Sequence, residues 1–397
     1  MHIDLTDPAT FAAGHPRELY RHLQDEAPCY WHEEAEGPGF WVLTRYDDVA
    51  EIGRRSDLYS SEPTVMLDDP ELSEMPAQDA HKMMLMMDPP QHTQFRRIIA
   101  KSFTKGPAAQ LAPRARELSK QIVDRVIERG ECDFVADIAG ELPSYFIAEL
   151  MGLPLDDGRE LYKLTEIIHT ARDALPPGAQ AQAIGQMFGY ASEVYRRKLE
   201  TPADDLASQI VHAELDGERL DEQDFQLFFM LLIDAGGDTT RNLLAGGLNE
   251  MIGSPDTLHA FRAADTAARG IAREELLRVV SPVIYFRRTA LADHERHGQT
   301  IKAGDKVVRY FAAANIDPRR FEDPLRMDLA RGDNAQIAFG TGTHVCLGQH
   351  IARVEIDAMF DEIMARMADF KLLEPPSWLA SNFISGIQRM PLGFRQQ

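Results

Sequence analysis

The residues best suited to chemistry stand in one short stretch, FGTGTHVCLGQH, which spans residues 339 to 350. This stretch sets Cys346, one of only three cysteines in the chain, among three glycines and two positions after His344. Three interpretations are open for the thiol: a structural cysteine in a tight turn, one half of a catalytic Cys–His pair, or a metal ligand. Zinc is not expected, because zinc sites need several Cys or His ligands and no paired cysteine lies nearby.

The glycines around the cysteine favour a ligand of one particular kind. If the loop is extended, the side chains of His344 and Cys346 do not readily meet, which disfavours a catalytic pair. A lone thiolate can serve as the axial ligand of haem iron, where its electron donation favours O–O cleavage. Glycine at 340, 342 and 348 fits this interpretation, since no Cβ would obstruct the porphyrin and backbone amides could hydrogen-bond the sulfur.

A second stretch, DAGGDTTRN (234–242), lies in the longest apolar helical pattern. Its two adjacent glycines cost roughly 1 kcal/mol each relative to alanine in the middle of a helix. They indicate either close packing against another helix or a local opening of the helix above a ligand. Asp238 and Thr239 follow directly, an acid and an alcohol that could move protons, although a threonine in a helix commonly bonds back to its own backbone.

Two further pairs have spacings that place their members on one helix face. Glu275 and Arg278 stand at i, i+3 in EELLR, and His92 and Arg96 stand at i, i+4 in MDPPQHTQFRR (87–97). Taken alone, each pair is as typical of a solvated surface as of a functional site. The two prolines before His92 predict the end of a loop and the start of a helix.

The composition of the 397-residue chain bounds the kinds of protein it can be. With 44% hydrophobic and 26% charged residues it is an ordinary globular protein. The start has neither the basic nor the apolar region of a secretory signal, and the apolar run at 227–233 is too short to span a bilayer. A net charge of −21 disfavours nucleic acid and anionic membranes as partners, and three scattered cysteines fit a reducing cytoplasm.

The elements that must position these residues are mostly helices. Apolar periodicity predicts helices at 15–27, 46–56, 92–130, 134–152, 156–172, 180–199, 222–252, 266–279 and 348–367. Strands are predicted within 29–44, on both sides of a Glu-Gly-Pro-Gly turn, at 283–290, 299–302 and 306–309, and in a β-rich tail. We therefore expect a mainly α protein with small β-sheets, not an alternating β/α protein.

The pattern F-G-x-G-x-H-x-C-x-G, from Phe339 to Gly348, resembles the haem-binding loop of the cytochrome P450 family. Three other segments match the same family in order. EELLR resembles its E-x-x-R ion pair, and NIDPRRFEDP (315–324) resembles the segment that locks against that pair. Asp238 and Thr239 match its acid–alcohol pair, in which Thr239 would hydrogen-bond the bound oxygen and Asp238 would relay protons through water.

This resemblance implies a single-domain cytochrome P450 fold over residues 1–397. It would have a β-rich portion at about 28–60, 283–310 and 370–397 and a helical haem-binding body at about 88–280 and 311–369. The implied cofactor is haem b, iron protoporphyrin IX, with Cys346 as axial ligand. The residues expected to contact haem or its propionates are His92, Arg96, Arg288, Phe339, Gly340 and His344. Glu275 and Arg278 would be structural.

The resemblance also implies a reaction and its partners. The enzyme would be a monooxygenase that activates O₂ with electrons from a ferredoxin and an NAD(P)H-dependent ferredoxin reductase. Arg96 belongs to a local basic cluster whose other members could dock the ferredoxin or simply form a solvated helix face: Arg97, Lys101, Lys105, Arg114 and Arg116. We expect a cytoplasmic monomer. A peroxide-using or dehydrating haem-thiolate enzyme and a haem-binding sensor without turnover remain as alternatives, and the acid–alcohol pair disfavours both.

The substrate is the least determined part of the prediction. Segments that line the pocket in the family offer Met, Val, Ile and Phe and few charges, which favours an apolar substrate such as a terpenoid, a steroid or an alkyl chain. The residues expected to line the pocket are Met86, Ala235, Gly236, Val283, Ile284, Phe383 and Ile384.

Overall fold

The computed structural model describes residues 4–35, 37–67, 83–170 and 175–397. The chain divides into two compact units, which we call the sheet unit and the helical unit. The sheet unit consists of Met1–Thr93, Glu274–Cys346 and Ala380–Ser385, and the helical unit of Gln94–Arg273, Leu347–Leu379 and Gly386–Gln397. The prediction of a mainly α fold with small sheets is confirmed.

The described elements are numbered in chain order. The helices are α1 (Arg17–Glu26), α2 (Tyr46–Arg54), α3 (Gln91–Ala100), α4 (Lys105–Gln110), α5 (Ala112–Asp124), α6 (Glu141–Leu150), α7 (Leu155–His169), α8 (Ala179–Glu200), α9 (Leu206–Val211), α10 (Glu222–Ile252), α11 (Pro255–Ala263), α12 (Thr266–Val280), α13 (Phe311–Ala314) and α14 (Gln349–Arg366). The strands are β1 (Cys29–His32), β2 (Phe40–Leu43), β3 (Tyr59–Ser60), β4 (Glu131–Asp133), β5 (Glu214–Leu215), β6 (Glu218–Arg219), β7 (Tyr285–Ala290), β8 (His294–Arg296), β9 (Gln299–Ile301), β10 (Lys306–Tyr310), β11 (Met367–Leu372), β12 (Ser377–Trp378), β13 (Ile387–Arg389) and β14 (Pro391–Gln396).

The sheet unit is built on a five-stranded sheet in the order β1-β2-β10-β7-β3. Strands β2 and β10 pair in parallel, and the other neighbours are antiparallel. In the register of β10 with β7, Arg309 lies opposite Phe286 and Val307 lies opposite Arg288. Since side chains alternate along a strand, Arg288 and Arg309 belong to the same face of the sheet.

The helical unit is organised around α10, whose 31 residues pack against α6, α7 and α8. A capping box starts this helix: the Asp221 carboxylate accepts from the backbone N–H of Asp224, and the Asp224 carboxylate accepts from the backbone N–H of Asp221. Most of its side chains are buried, as its apolar pattern predicts. No helix in the described part of the chain combines the length and the hydropathy that a bilayer span needs.

Two predicted helices are divided in the structure. The predicted helix 92–130 is three helices, α3 to α5, because Thr104 has an extended backbone and Pro113 occupies the first turn of α5. The predicted helix 134–152 begins with a π-helical turn at Val135–Ala139 before α6. The predicted helix at 156–172 corresponds to α7, which ends at His169, and residues 171–172 lie outside the described residues.

The predicted β-rich portion is divided between the five-stranded sheet and other, smaller sheets. Strands β8 and β9 form a two-stranded sheet, as do β12 and β13, and the tail strands β11 and β14 pair with β4 in a three-stranded sheet of the helical unit. Leu392 of β14 lies opposite Cys132 of β4. Strand periodicity reports which residues face a core and does not report which distant strand is the partner, so the sequence could not separate these sheets.

Candidate active site

The loop that carries Cys346 folds back on itself within the sheet unit. The backbone N–H of Cys346 donates to the carbonyl of Phe339 at 2.8 Å. Gly340 and Gly342 have φ angles of +73° and +78°, a left-handed backbone that favours glycine. The loop is partly exposed from Phe339 to Gly348. The glycines therefore permit a tight, partly exposed loop around the thiol of Cys346.

One of these glycines has a different role from the predicted one. A Cβ on Gly342 would lie 1.6 Å from the carbonyl oxygen of Gly53, at the end of α2. The hydroxyl of Thr341 donates to the carbonyl of Ala50 on the same helix at 3.0 Å. Gly342 therefore seats the loop against α2, and this packing explains the glycine without any approach to a cofactor.

Beside this loop lies a group of basic side chains from three segments of the sheet unit. The rings of His92 and His344 stack with their centroids 3.8 Å apart, and the Ser61 hydroxyl lies 3.1 Å from Nε2 of His344. Arg288 is buried and donates from Nη1 to the carbonyl of Arg287 at 2.8 Å. The structure thus brings together three of the predicted propionate partners, His92, Arg288 and His344.

The same group contains a fourth basic side chain, Arg309, and we call the four residues the cationic cluster. Burial, with the nearby Arg288, His92 and Arg309, lowers the pKa of His344 to about 2. Burial lowers the pKa of Arg288 to about 10, and the carboxylate of Asp88 only partly opposes this. At neutral pH His344 is therefore uncharged, and the positive charge of the cluster lies on the two buried arginines, Arg288 and Arg309.

The cationic cluster fits a haem. Buried charges are stable only when they are paired, and the two propionate carboxylates of haem would supply both the negative charge and the acceptors. His92, Arg288 and His344 would hold the propionates, and Cys346 would provide the thiolate ligand. Arg96 lies on α3 with His92, at the predicted i, i+4 spacing, and is assigned to the helical unit.

The predicted Glu275–Arg278 pair is present in α12, and both side chains are fully buried. The pair is bidentate: Nε and Nη2 of Arg278 each donate to a Glu275 oxygen at 2.8 Å. Nη1 of Arg278 donates to the carbonyls of Asn315 and Pro324 at 2.7 and 2.8 Å. The segment 315–324 therefore binds the pair directly, as the family pattern predicts.

In the helical unit, Asp238 is buried on α10 and lies in a chain of ion pairs. Its carboxylate accepts from the guanidinium of Arg241 and, at 3.1 Å, from the amide of Asn242. Nη1 of Arg241 donates to Glu166 at 2.6 Å, and the side chain of Glu166 is 44% exposed. Paired charged side chains therefore connect the partly exposed Glu166, through Arg241, to the buried Asp238.

Thr239 and the glycines before it differ from the prediction. The Thr239 hydroxyl donates to the carbonyl of Ala235 at 3.2 Å, the back-bond common for threonine in helices. Helix α10 is continuously α-helical, so the predicted local opening is not present. A Cβ on Gly236 would lie 3.1 Å from Ile147, and one on Gly237 would lie 3.2 Å from the ring of Tyr162, so both glycines permit close helix packing.

The structure brings four of the predicted pocket residues together and buries two of them. Val283 pairs with Ile384 in an isolated bridge, and the N–H of Ile284 donates to the carbonyl of Phe383 at 2.9 Å. Ile284 and Ile384 are buried, and Ile284 belongs to the core of the sheet unit. Met86 is also buried, in a short 3₁₀ turn.

The other two predicted pocket residues lie on α10 of the helical unit. Ala235 is exposed and Gly236 is half-buried on a helix whose neighbouring positions are largely buried. A surface groove of about 770 Å³ also belongs to the helical unit, between Ser102, Phe146 and His212. It contains none of the predicted pocket residues, and it adds nothing to the chemistry of the thiolate loop.

Two residues of this site could have been found from the sequence and were not. Arg241 stands at i+3 from Asp238, the same spacing that indicates the Glu275–Arg278 pair. Arg309 is a single charge in the apolar strand VVRYF, an anomaly that signals a buried functional charge. Glu166 has no such signal, because its position beside Arg241 depends on how α7 packs against α10.

Comparison with known proteins assigns the class of this enzyme. The family model "Cytochrome P450" matches residues 271–376. The steroid C26-monooxygenase of Mycobacterium tuberculosis is 32% identical over 407 residues, which cover 98% of this chain and 92% of that protein. This chain belongs to the cytochrome P450 family.

Further relatives agree in sequence and in structure. The methyl-branched lipid omega-hydroxylase of Mycobacterium tuberculosis is 35% identical over 385 residues, which cover 93% of this chain and 89% of that protein. A Mycobacterium marinum cytochrome P450, solved in complex with pseudoionone, matches with a TM-score of 0.91 and 32% identity over 99% of both chains. The protein is a cytochrome P450 monooxygenase, and its cofactor is haem.

Proposed function

We propose that this enzyme hydroxylates a C–H bond of an apolar small molecule, a terpenoid, a steroid or an alkyl chain. In this reaction the substrate C–H bond, O₂, two electrons and two protons give an alcohol and water. A ferredoxin and an NAD(P)H-dependent ferredoxin reductase supply the electrons. The observation that carries the proposal is the single thiol of Cys346 in a glycine-rich loop beside a buried cationic cluster.

Each part of the site has its own task in this proposal. Cys346 is the thiolate ligand, and His92, Arg96, Arg288 and His344 bind the propionates. When bound, haem supplies the activation of dioxygen and the transfer of one oxygen atom. The remaining chemistry, which belongs to the chain itself, is to place the substrate and to deliver protons.

Proton delivery is proposed for Asp238. The carboxylate of this residue is held by the Arg241 guanidinium and by the Asn242 amide, and it would receive protons from water and pass them on. Arg241 keeps a second partner, Glu166, when Asp238 turns away to pass the proton on. The Thr239 hydroxyl, which donates to the Ala235 carbonyl at 3.2 Å, would direct the protons after rotating away from that carbonyl. Both movements need only side-chain rotation.

The substrate class is supported by residues and by relatives. Val283 and Phe383 are partly exposed apolar side chains that the fold brings together. The two curated relatives are named for oxidation of a steroid and of a methyl-branched lipid, and the similar crystal structure contains pseudoionone. All three point to an apolar molecule with an alkyl chain.

The electron donor would dock on the basic cluster of the helical unit. Arg97, Lys101, Lys105 and Arg116 are exposed there, whereas Arg114 is paired with Glu117 and Glu149 at 2.9 and 2.8 Å. A positive surface steers an acidic ferredoxin by complementary charge. Within this proposal the enzyme works as a monomer in the cytoplasm, as the composition predicts.

The proposal is tested first by spectroscopy. The reduced protein with carbon monoxide should give the red-shifted Soret band of thiolate-ligated haem, and a spectrum without it would remove the assignment of Cys346. Apolar compounds that perturb the ferric spectrum are then incubated with NADH, a ferredoxin and its reductase. Alcohol formation supports the monooxygenase, turnover only with peroxide supports the peroxide-using alternative, and binding without any product supports a sensor.

Two neighbouring threonines give a matched test of proton delivery. Thr239→Ala should lower the alcohol formed per NADH oxidised and raise peroxide release, because protons arrive without the hydroxyl that directs them. Thr240→Ala is the control, since its hydroxyl points to the buried Glu355 at 3.3 Å. Equal coupling in the two variants would contradict the role of Thr239.

A further inference from the structure

Arg309 is a buried cation that the predicted set of haem contacts does not include. It lies on β10 in the middle of the five-stranded sheet and has no exposed surface. Its Nε and Nη1 atoms have no hydrogen-bond partner among the residues that the structure describes. A buried guanidinium in this condition is strongly unfavourable, so a partner from outside the protein chain is expected.

The surroundings of Arg309 place it at the thiolate loop. Its guanidinium lies 5.0 Å from the centre of the Phe311 ring, and Phe311 is also the side chain nearest to a Cβ on Gly340. A Cβ on Gly53 would lie 2.1 Å from Nη1 of Arg309 and 2.3 Å from the Thr341 hydroxyl. Arg309 therefore packs between the end of α2 and the loop that carries Cys346.

The charges around Arg309 are positive. Burial lowers the pKa of Arg309 well below its usual value, and the neighbouring Arg288 lowers it further. No carboxylate opposes this in the described part of the chain, whereas Asp88 partly balances Arg288. An anion bound at the cluster would relieve Arg288 and Arg309 together.

We propose that Arg309 is a further cationic partner of the haem propionates, acting beside Arg288. This inference rests on the proposed position of haem at Cys346. It predicts that the propionate end of this enzyme is held by two buried arginines of one sheet face, 21 residues apart in sequence and joined by the register of β7 with β10. The positive charge of Arg309 would also favour the ferrous form of the cofactor, which carries one positive charge fewer.

The experiment compares holoenzyme variants. Arg309→Met removes the charge at similar volume. Arg309→Lys keeps the charge but replaces the planar guanidinium with an ammonium group, which has fewer hydrogen-bond donors. Two quantities are measured: the rate of haem transfer to excess apomyoglobin and the reduction potential by spectroelectrochemical titration. Arg309→Met should lose haem about tenfold faster and have a lower potential, where a tenfold change in the equilibrium corresponds to about 59 mV. Arg309→Lys should keep a potential close to that of the unaltered enzyme.

Arg296→Met is the matched control. This partly buried arginine of the same unit pairs with carboxylates of the chain itself, Asp48 and Glu51. Its removal should lower the unfolding midpoint in urea and leave the reduction potential unchanged. If Arg309→Met behaves in the same way, Arg309 has a structural partner in the chain and the proposal is overturned.

Two further outcomes are decisive. If Arg309→Met does not fold, Arg309→Lys still tests the proposal, since a changed propionate bending mode in its resonance Raman spectrum supports direct contact and an unchanged mode contradicts it. The ferrous carbon monoxide spectrum of the unaltered protein tests thiolate ligation separately. If the red-shifted band is absent from that spectrum, the proposed haem site at Cys346 is contradicted. If the band is present but Arg309→Met loses haem at the unaltered rate, only the role of Arg309 is contradicted.

Discussion

Two fully buried arginines of the sheet unit have opposite surroundings. Arg278 makes a bidentate pair with Glu275 and donates to two backbone carbonyls, so that its charge and its donors are satisfied within the chain. Arg309 has two nitrogens without a partner among the described residues and lies beside another arginine. Both side chains are 0% exposed, so burial alone does not distinguish them.

The difference separates a structural charge from a charge kept for a ligand. A buried charge that is paired inside the chain holds two segments together, as Arg278 holds α12 to the segment 315–324. A buried charge without an internal partner lowers the stability of the chain by itself and becomes favourable when an anion binds. The Glu275–Arg278 network and the cationic cluster should therefore respond differently to substitution.

The largest effect is expected at the thiolate loop. Cys346→Ser should abolish alcohol formation and the red-shifted carbon monoxide band, because a serine hydroxyl is not an electron-donating thiolate ligand. The free energy of unfolding should change little, since Cys346 is only partly buried. Cys132→Ser, at a buried thiol of the helical unit, is the control and should retain the band. Residual turnover in Cys346→Ser would contradict the assignment.

Substitutions in the Glu275–Arg278 network should lower the free energy of unfolding. Arg278→Met leaves Glu275 charged and buried, and the free energy of unfolding measured in urea should fall by about 3–5 kcal/mol. Adding Glu275→Gln removes the uncompensated charge and should restore part of this loss, which a double-mutant cycle measures. If Arg278→Met costs no more stability than Arg309→Met, the contrast between the two arginines is wrong.

Substitution of Asp238, the acid on α10, should lower the rate of turnover. Asp238→Asn removes the proton carrier, and the rate of alcohol formation should fall by about 10²–10⁴-fold. A kinetic solvent isotope effect larger than that of the unaltered enzyme would show that proton delivery has become limiting. Glu166→Gln, at the exposed end of the same chain of charges, should have a smaller effect, and an equal loss in both would indicate a structural role for Asp238.

The smallest effect is expected at Glu355, a buried acid of α14 whose partner is the Thr240 hydroxyl. Burial raises the pKa of Glu355 to about 8. Between the pKa of an unfolded glutamate and this value, the native state holds a proton that the unfolded chain releases. Stability therefore falls as the pH rises through this window.

Glu355→Gln should remove this pH dependence. Unfolding in urea should give similar free energies for variant and unaltered enzyme near pH ~4.5 and a variant more stable by about 1–3 kcal/mol near pH ~7. Glu362→Gln, on the same helix and paired with Arg366 at 2.8 Å, is the control and should keep the slope of the unaltered enzyme. A slope that persists in Glu355→Gln would show that this carboxyl is already ionised in the native state.

Much of the site follows from local spacing. The i, i+3 spacing of Glu275 and Arg278 and the i, i+4 spacing of His92 and Arg96 are properties of any α-helix, so pairs of this kind can be read from the sequence. The isolation of Cys346 among glycines is also visible in the sequence, and its role as axial ligand stays a prediction. The sequence left open whether the glycine pair of α10 serves close packing or a local opening, and only the positions of Ile147 and Tyr162 favour close packing.

The sequence by itself determined the helical class of the protein, the thiolate loop, the acid–alcohol pair and the family to which they belong, because these depend on residue type and short-range periodicity. The tertiary structure alone decided that Arg309 stands beside Arg288, that Glu166 reaches Arg241 and that the tail strands β11 and β14 share a sheet with β4. Those facts depend on strand register and helix packing between residues far apart in the chain, for which no local pattern exists.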